Sequence, residues 1–297
     1  MSTAPVIRLG TVLANRGHDA ARIISELIPL GFESFELAFK NTLDGTDLPR
    51  LADEVMAALQ GTSATISCLG IYGNTLADDS HGEEIRRIWR EMIALAPRFQ
   101  TSLVCGFAGR VTGLPIPASL PRFREIFSAL TDAAGASGLQ LALENCLQGG
   151  TWQTGDRNIA HNPAAWELLF NAVPAPNLGL EWEPAHQLCQ LIDPVPQLET
   201  WASRIFHVHG KDAQIRHDLL QRHGICGPER FAWHRLPGLG QSHWAQIIST
   251  LLAAGYRGSI DIEGGHDPVY RDAWDLPGQR LALAHLQRCR PSSKGRP

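Results

Sequence analysis

The sequence is short of lysine, of paired cysteines and of long apolar runs, and each shortage excludes something. Its lysines are Lys40, Lys211 and Lys294, so arginine supplies nearly all the positive charge, and the formal net charge is -4. A chain that grips a nucleic-acid backbone normally presents a basic face. None is evident, so no nucleic-acid partner is expected. The arginine bias reads first as genomic composition. Cysteines stand at 68, 105, 146, 189, 226 and 289 with no C-x-x-C pair among them. The expectation is reduced, mostly buried thiols in a cytosolic protein. No stretch approaches the roughly 18 apolar residues of a membrane span, and MSTAPVIRLG has no basic segment followed by an apolar run. A soluble, cytoplasmic protein with no membrane partner is expected. A Gly-rich phosphate loop after the first predicted strand is also missing, which argues against a doubly wound open sheet.

What is present is a chain of 297 residues, 44% hydrophobic and 19% charged. That is an ordinary globular composition, enough for a large core, and close to the usual size of one (β/α)8 barrel. Alternation predicts strands at 6–14, 34–39, 63–72, 101–109, 139–145, 177–183, 204–212 and 258–265. Helical spacing predicts helices at 18–31, 48–61, 82–99, 120–138, 163–173, 194–203, 242–255 and near 275–288. The segment 213–241 is left as a long loop. Repeated strand–helix units without a linker-like shift in composition predict an α/β fold, a single (β/α)8 TIM barrel over 1–290, with a disordered tail at 291–297.

In such a barrel the active site lies at the C-terminal ends of the strands. Four late strands end in polar residues: Glu144, Glu183, His209 with Lys211, and Glu263. Period-two alternation sorts the faces. In LQLALEN, Ala142 and Glu144 oppose Leu141 and Leu143. In NLGLEWE, Gly179, Glu181 and Glu183 oppose Leu178, Leu180 and Trp182. In RIFHVHGKD, His207, His209 and Lys211 oppose Phe206 and Val208, and in GSIDIEGG, Asp261 and Glu263 oppose Ile260 and Ile262. The apolar sets suit surrounding helices, so the polar sets must face the barrel interior.

Carboxylates converging in a barrel mouth repel, and desolvating each costs several kcal/mol unless protons or a cation compensate. One divalent ion held by Glu144, Glu183, His209 and Glu263 resolves the conflict. Carboxylate-rich ligation favours Mn2+ or Mg2+, and the imidazole admits Co2+ or Zn2+. The alternative is a set of barrel-mouth ion pairs. One pleat deeper, Glu181, His207 and Asp261 form a second polar layer, expected to orient the ligands or simply to make a buried polar cluster.

These motifs resemble the xylose-isomerase-like barrel superfamily, the sugar phosphate isomerases/epimerases, in segments covering roughly half the chain. GFESFEL (31–37) is similar to its entry into strand two, ALENC (142–146) to its strand-five glutamate motif, and GLEWEPAH (179–186) to a pattern with aspartate three residues before histidine. HVHGKD (207–212) resembles its H-x-H-x-K-D motif, IDIEGGHDP (260–268) its closing glutamate motif, and HRLPGLG (234–240) the R-x-P-G-x-G loop of one subgroup. The resemblance implies metal ligation by Glu144, Glu183, His209 and Glu263. It also implies acid/base roles for Glu144 and Glu263 on opposite sides of the substrate, with His186 bonding a substrate oxygen. Glu183 stands where most relatives have aspartate, and Gly264-Gly265-His266 carries one residue more than the subgroup's tract.

The implied activity is a metal-dependent isomerase or epimerase working on a keto sugar through a metal-stabilised enediolate. Further substrate contacts are expected from Asn145, Lys211, Arg235 and Trp152. A salt bridge with Asp212 or a neighbouring acid is the alternative for Lys211. Asn158, His161 and His234 are candidates for the walls, and Phe39, Trp182 and Trp233 for the sugar's apolar face or the core. A lyase acting on a 3-keto sugar or 3-keto glycoside shares the first step. The superfamily's apurinic endonuclease activity needs further histidines after the early strands, which end here in CLGIY and CGFAG. A non-catalytic sugar-binding barrel is disfavoured by the intact ligand set. With no phosphate cradle evident, the expected partner is a free sugar or glycoside, and a homodimer is an open possibility for barrels of this kind.

Overall fold

A computed structural model describes residues 7–291. In chain order the elements are β1 (Arg8–Ala14), α1 (Ala20–Leu27), β2 (Ser34–Phe39), α2 (Leu48–Leu59), β3 (Thr65–Ile71), α3 (Ser80–Leu95) and β4 (Leu103–Gly106). Next come α4 (Ile116–Ala136), β5 (Gln140–Glu144), α5 (Pro163–Ala172), β6 (Leu178–Trp182), α6 (Pro184–Cys189), α7 (Pro194–Trp201) and β7 (Ile205–Gly210). The chain continues through β8 (Asp212–Ile215), α8 (His217–His223), β9 (Ala232–Arg235), α9 (Trp244–Ala253), β10 (Ser259–Ile262) and α10 (Asp275–Cys289).

Eight strands close into a barrel in the order β1-β10-β7-β6-β5-β4-β3-β2, as the strand–helix repeat predicts. The described pairings around it are parallel. A parallel barrel strand is covered on both faces, which is why β2, β4 and β6 are buried along their whole length. By compactness the chain divides into two units.

The larger unit, Val12–Trp182 with Arg204–His207, contains β2 to β6. Its helices α2, α3 and α5 start on side-chain caps. Asp47 accepts from Arg50 N, Asp79 from Gly82 N and Asn162 from Ala165 N, each satisfying a donor that the first turn leaves open. Leu48, Leu51, Ala52, Val55 and Leu59 are the buried residues of α2, the spacing of one helical face. Phe123 and Phe127 of α4 stack at 4.6 Å, and Trp89 of α3 meets Phe127 edge-on. One sequence expectation needs correction here. Phe206, assigned to the helix side of β7, packs instead against Cys68, Leu103, Cys105 and Ala142. Gly179 makes room for it, since a Cβ there would come within 2.5 Å of the Phe206 ring and 2.4 Å of Arg204 O.

The smaller unit, Met1–Thr11, Glu183–Ser203 and Val208–Pro297, holds β8 to β10 and α6 to α10. The segment expected as a long loop is structured: β8 and β9 form an antiparallel hairpin, with α8 between them. Strands of four residues are too short for alternation to show. Buried Asp212 anchors the return from this hairpin, accepting from the backbone of Ala213 (2.8 Å) and Ser242 (2.9 Å) and from Trp244 Nε1 (3.2 Å). The expected disordered tail lies outside the described residues from 292 onward.

Candidate active site

Three of the four residues expected to hold a metal belong to the smaller unit, and they converge. Glu183 follows β6 and precedes α6, His209 lies in β7, and Glu263 follows β10. Lys211 brings them together: its ammonium is 2.7 Å from Glu263 Oε2 and 3.8 Å from Glu183 Oε2. His209 Nδ1 is 3.7 Å from the same Glu263 oxygen. The other carboxylate oxygen of each acid faces a histidine three residues on. Glu183 Oε1 is 2.8 Å from His186 Nε2, and Glu263 Oε1 is 2.8 Å from His266 Nε2. The Oε2 atoms therefore share one cationic position, while each Oε1 has its own imidazole.

The electrostatics follow. Burial pushes Glu183 up, but the charges of His186 and Lys211 outweigh it and hold the carboxyl at about 2. Burial works the same way on Glu263, and Lys211 and His266 again prevail, keeping it well below the usual carboxylate range. His234, on β9, packs edge-on against His186 at 4.7 Å and lies 6.1 Å from His266. Burial, with Lys211 and His186 nearby, lowers its pKa to about 3, so this ring is neutral. Two ionised carboxylates and an imidazole are a donor set for a divalent cation. The 3.7 Å separation of His209 from Glu263 is close to the roughly 3–3.4 Å spanned by two ligand atoms about 2.1 Å from one ion.

Glu144, the fourth expected ligand, is the last residue of β5 and is buried. Its carbonyl accepts from Asn158 Nδ2 at 2.9 Å, and the same amide holds Cys146 O at 2.8 Å. Asn158 thus shapes the β5 loop from within. Asn145 is buried and bonds Glu181 O through its backbone. Trp152 is half-buried, with its carbonyl accepting from Ile116 N. That loop is braced by Arg110, a buried residue whose guanidinium meets the carbonyls of Leu114, Thr151 and Trp152. Arg235 is engaged: its Nε donates to Asp267 (2.7 Å) and its Nη1 to Gln214 (2.8 Å). Asp267 also receives Leu236, Val269 and Tyr270 backbone amides.

The deeper polar layer divides between the units. Asp261 is buried opposite His209 and Gly10 in register. In the larger unit, His207 Nδ1 is 2.9 Å from Glu181 Oε1, and the Tyr72 hydroxyl lies 2.8 Å from Glu181 Oε2 and closer still to Glu36. Burial and the two glutamates push Tyr72 well above its ordinary pKa. Sequence reasoning missed Tyr72, Arg110 and Asp267, and quoted Glu36 within GFESFEL without giving it a role. It noted His266 as part of an inserted residue tract and gave it no role. The repeated E-x-x-H spacing of 183–186 and 263–266 was the available signal for His266. Nothing local marks the others, which meet across separate strands and loops.

Comparison with known proteins gives the barrel a family. Residues 24–289 match the family model described as xylose isomerase-like TIM barrel. An uncharacterised Bacillus subtilis protein, YfiH, is 27% identical over 71% of this chain and 74% of its own. A Pseudomonas putida 3-dehydroshikimate dehydratase is 28% identical over 57% of this chain but only 25% of its own length. Among solved structures, Escherichia coli 3-keto-D-glucoside 4-epimerase, YcjR, superposes with a TM-score of 0.70 at 15% identity, covering 95% of this chain and all of that one. A Mycobacterium smegmatis xylose isomerase-like barrel in complex with magnesium superposes at 0.69 and 17% identity, covering 97% of this chain and all of that one. With the family model spanning nearly the whole barrel, this chain belongs to the xylose isomerase-like TIM barrel family.

Proposed function

We propose that the protein is a divalent-metal-dependent isomerase or epimerase of a keto sugar, with Glu144, Glu183, His209 and Glu263 as the metal ligands. The observation that carries this reading is the convergence of Glu183 Oε2 and Glu263 Oε2 on the Lys211 ammonium, with His209 Nδ1 3.7 Å from that same Glu263 oxygen. In this reading Glu144, the last residue of β5, supplies the fourth ligand. The ligand set favours Mn2+ or Mg2+, with Co2+ and Zn2+ admitted by the imidazole. When bound, the ion would polarise the sugar carbonyl and stabilise the charge of an enediolate.

The chain's own groups supply the proton transfers. Glu263, held ionised by Lys211 and His266, is poised to accept a proton from the carbon beside the carbonyl. Glu144 returns one to the opposite face, which is epimerisation; return to the neighbouring carbon is isomerisation. Lys211 sits within reach to donate to a substrate oxygen when the acids turn to the ion. His186 and His266 keep the Oε1 atoms occupied, leaving the Oε2 atoms to the chemistry. Arg235, Trp152 and Asn145 complete the proposed substrate contacts.

A second reading, a lyase on a 3-keto sugar or glycoside, draws support from the dehydratase similarity, because the same enediolate can expel a leaving group at the next carbon. A panel of keto sugars and keto-glycosides incubated with metal-loaded protein separates them. An epimer or aldose–ketose pair supports the first reading. A released aglycone or dehydrated sugar supports the second, and no turnover with any metal contradicts both.

A further inference from the structure

Four side chains inside the larger unit form a donor set that the proposed sugar chemistry does not use. Cys68 of β3, Cys105 of β4, Glu181 of β6 and His207 of β7 each offer one atom, and these atoms lie within 4.8 Å of one another. All four residues are at most 1% exposed. Cys68 Sγ is 3.8 Å from His207 Nδ1, and that nitrogen is 2.9 Å from Glu181 Oε1. At a tetrahedral zinc the bond lengths give sulfur–nitrogen and nitrogen–oxygen edges of roughly 3.6 and 3.4 Å. One edge already fits, and the other must open by about half an ångström, which the loss of the shared proton between Glu181 and His207 would allow. The outer shell is in place as well: Tyr72 bonds the remaining oxygen of Glu181, the arrangement that orients a ligating carboxylate.

We propose that Cys68, Cys105, Glu181 and His207 form a second, deeper metal site, selective for a thiophilic divalent ion such as Zn2+. Two sulfurs, one imidazole and one carboxylate are a soft donor set. The acids and imidazole around Lys211 are a hard one, so the two positions would sort metals by chemistry. Occupation by one ion releases the two thiol protons and the proton shared by Glu181 and His207, and the thiolates, not the thiols, ligate. Without metal, burial and contact with Cys68 push the Cys105 thiol well above its ordinary pKa, so this sulfur waits as a neutral thiol.

Cobalt substitution tests this directly. Metal-stripped full-length protein is titrated with Co2+, and the near-ultraviolet thiolate-to-cobalt charge-transfer band is recorded, since no carboxylate or imidazole ligand produces it. The band should saturate within two equivalents, since the acid and imidazole site also accepts Co2+, be lost in Cys68→Ser and in Cys105→Ser, and persist in Glu263→Gln. Circular dichroism and a thiol count after unfolding confirm that each variant is folded and reduced. A folded wild-type protein without the band, or a band that survives both cysteine substitutions, overturns the site. Loss of metal-dependent sugar turnover alone would bear on the proposed function and leave this result unaffected.

Discussion

At the residue scale, the account rests on what one ammonium group does. Lys211 opposes the burial that raises two acids, acting with His186 on Glu183 and as the largest charge on Glu263. If Glu263 is the base, Glu263→Gln keeps the shape and removes the proton acceptor. Turnover of the preferred keto sugar should fall by at least about a thousandfold, with KM changed only a few-fold. Glu144→Gln should behave alike, and steady-state kinetics on both variants checks it. Turnover within tenfold of wild type in either would remove that residue from the acid/base pair.

His234 gives a pH test at the same scale. Its folded pKa is lowered from 6.5 to about 3, so the folded protein disfavours the proton that the unfolded chain accepts. The sign follows: stability from this group is fully present above pH 6.5 and is lost as pH falls toward 3. Between pH 6.5 and 5 the metal-free protein should lose up to about 2 kcal/mol through this group. Urea unfolding of wild type and His234→Gln at the two pH values reads it. The variant should lose less than wild type on acidification, and equal losses would contradict the assignment.

At the scale of elements, two packing details have measurable consequences. Gly179 lies under the Phe206 ring, so Gly179→Ala forces a Cβ into Phe206 and Arg204 O. The expected cost is about 1–3 kcal/mol, read as a lower midpoint in chemical denaturation, and partial relief by Phe206→Leu would locate the clash. Asp212 gathers donors from Ala213, Ser242 and Trp244. Asp212→Ala leaves those donors without their acceptor and frees the chain that follows β9. Amide exchange over 236–244 should quicken and KM should rise, with α4 and α5 unaffected.

Elements also show where sequence reading works. The helices of long, strongly periodic segments, α2, α3 and α10, fall where spacing puts them, because a buried face of three or more turns leaves a repeating mark. The β8–β9 hairpin, α6 and α8 leave none. They are four to seven residues long and are held by Asp212, Pro184 and side-chain bonds that no periodicity encodes. Phe206 was misassigned because alternation along one strand does not register Gly179, whose missing side chain leaves room for the ring. The site was legible to the extent that strand ends are. Glu144, Glu183, His209 and Glu263 announce themselves by polarity after an apolar run. Glu36 and Tyr72 do not, because a buried acid and a buried phenol acquire meaning only when separate strands bring them together.

At the scale of the molecule, a closed parallel barrel accounts for the rest. Closure leaves no sheet edge, and the strand ends of one rim can carry chemistry while the interior below stays packed. Among the described residues, no helix is long and apolar enough to cross a membrane. The family, the barrel and the meeting of Glu183, Lys211 and Glu263, with His209 beside Glu263, support the proposed metal-assisted proton transfer on a sugar. Deuterium uptake is the most direct test. The protein is stripped with chelator, returned to D2O with and without Mn2+, and incubated with a panel of ketoses and keto-glycosides. Incorporation of deuterium at the carbon beside the carbonyl, dependent on metal and abolished in Glu263→Gln, is the result expected. Uptake that proceeds equally in the chelated protein, or none across the panel with metal bound, would contradict it.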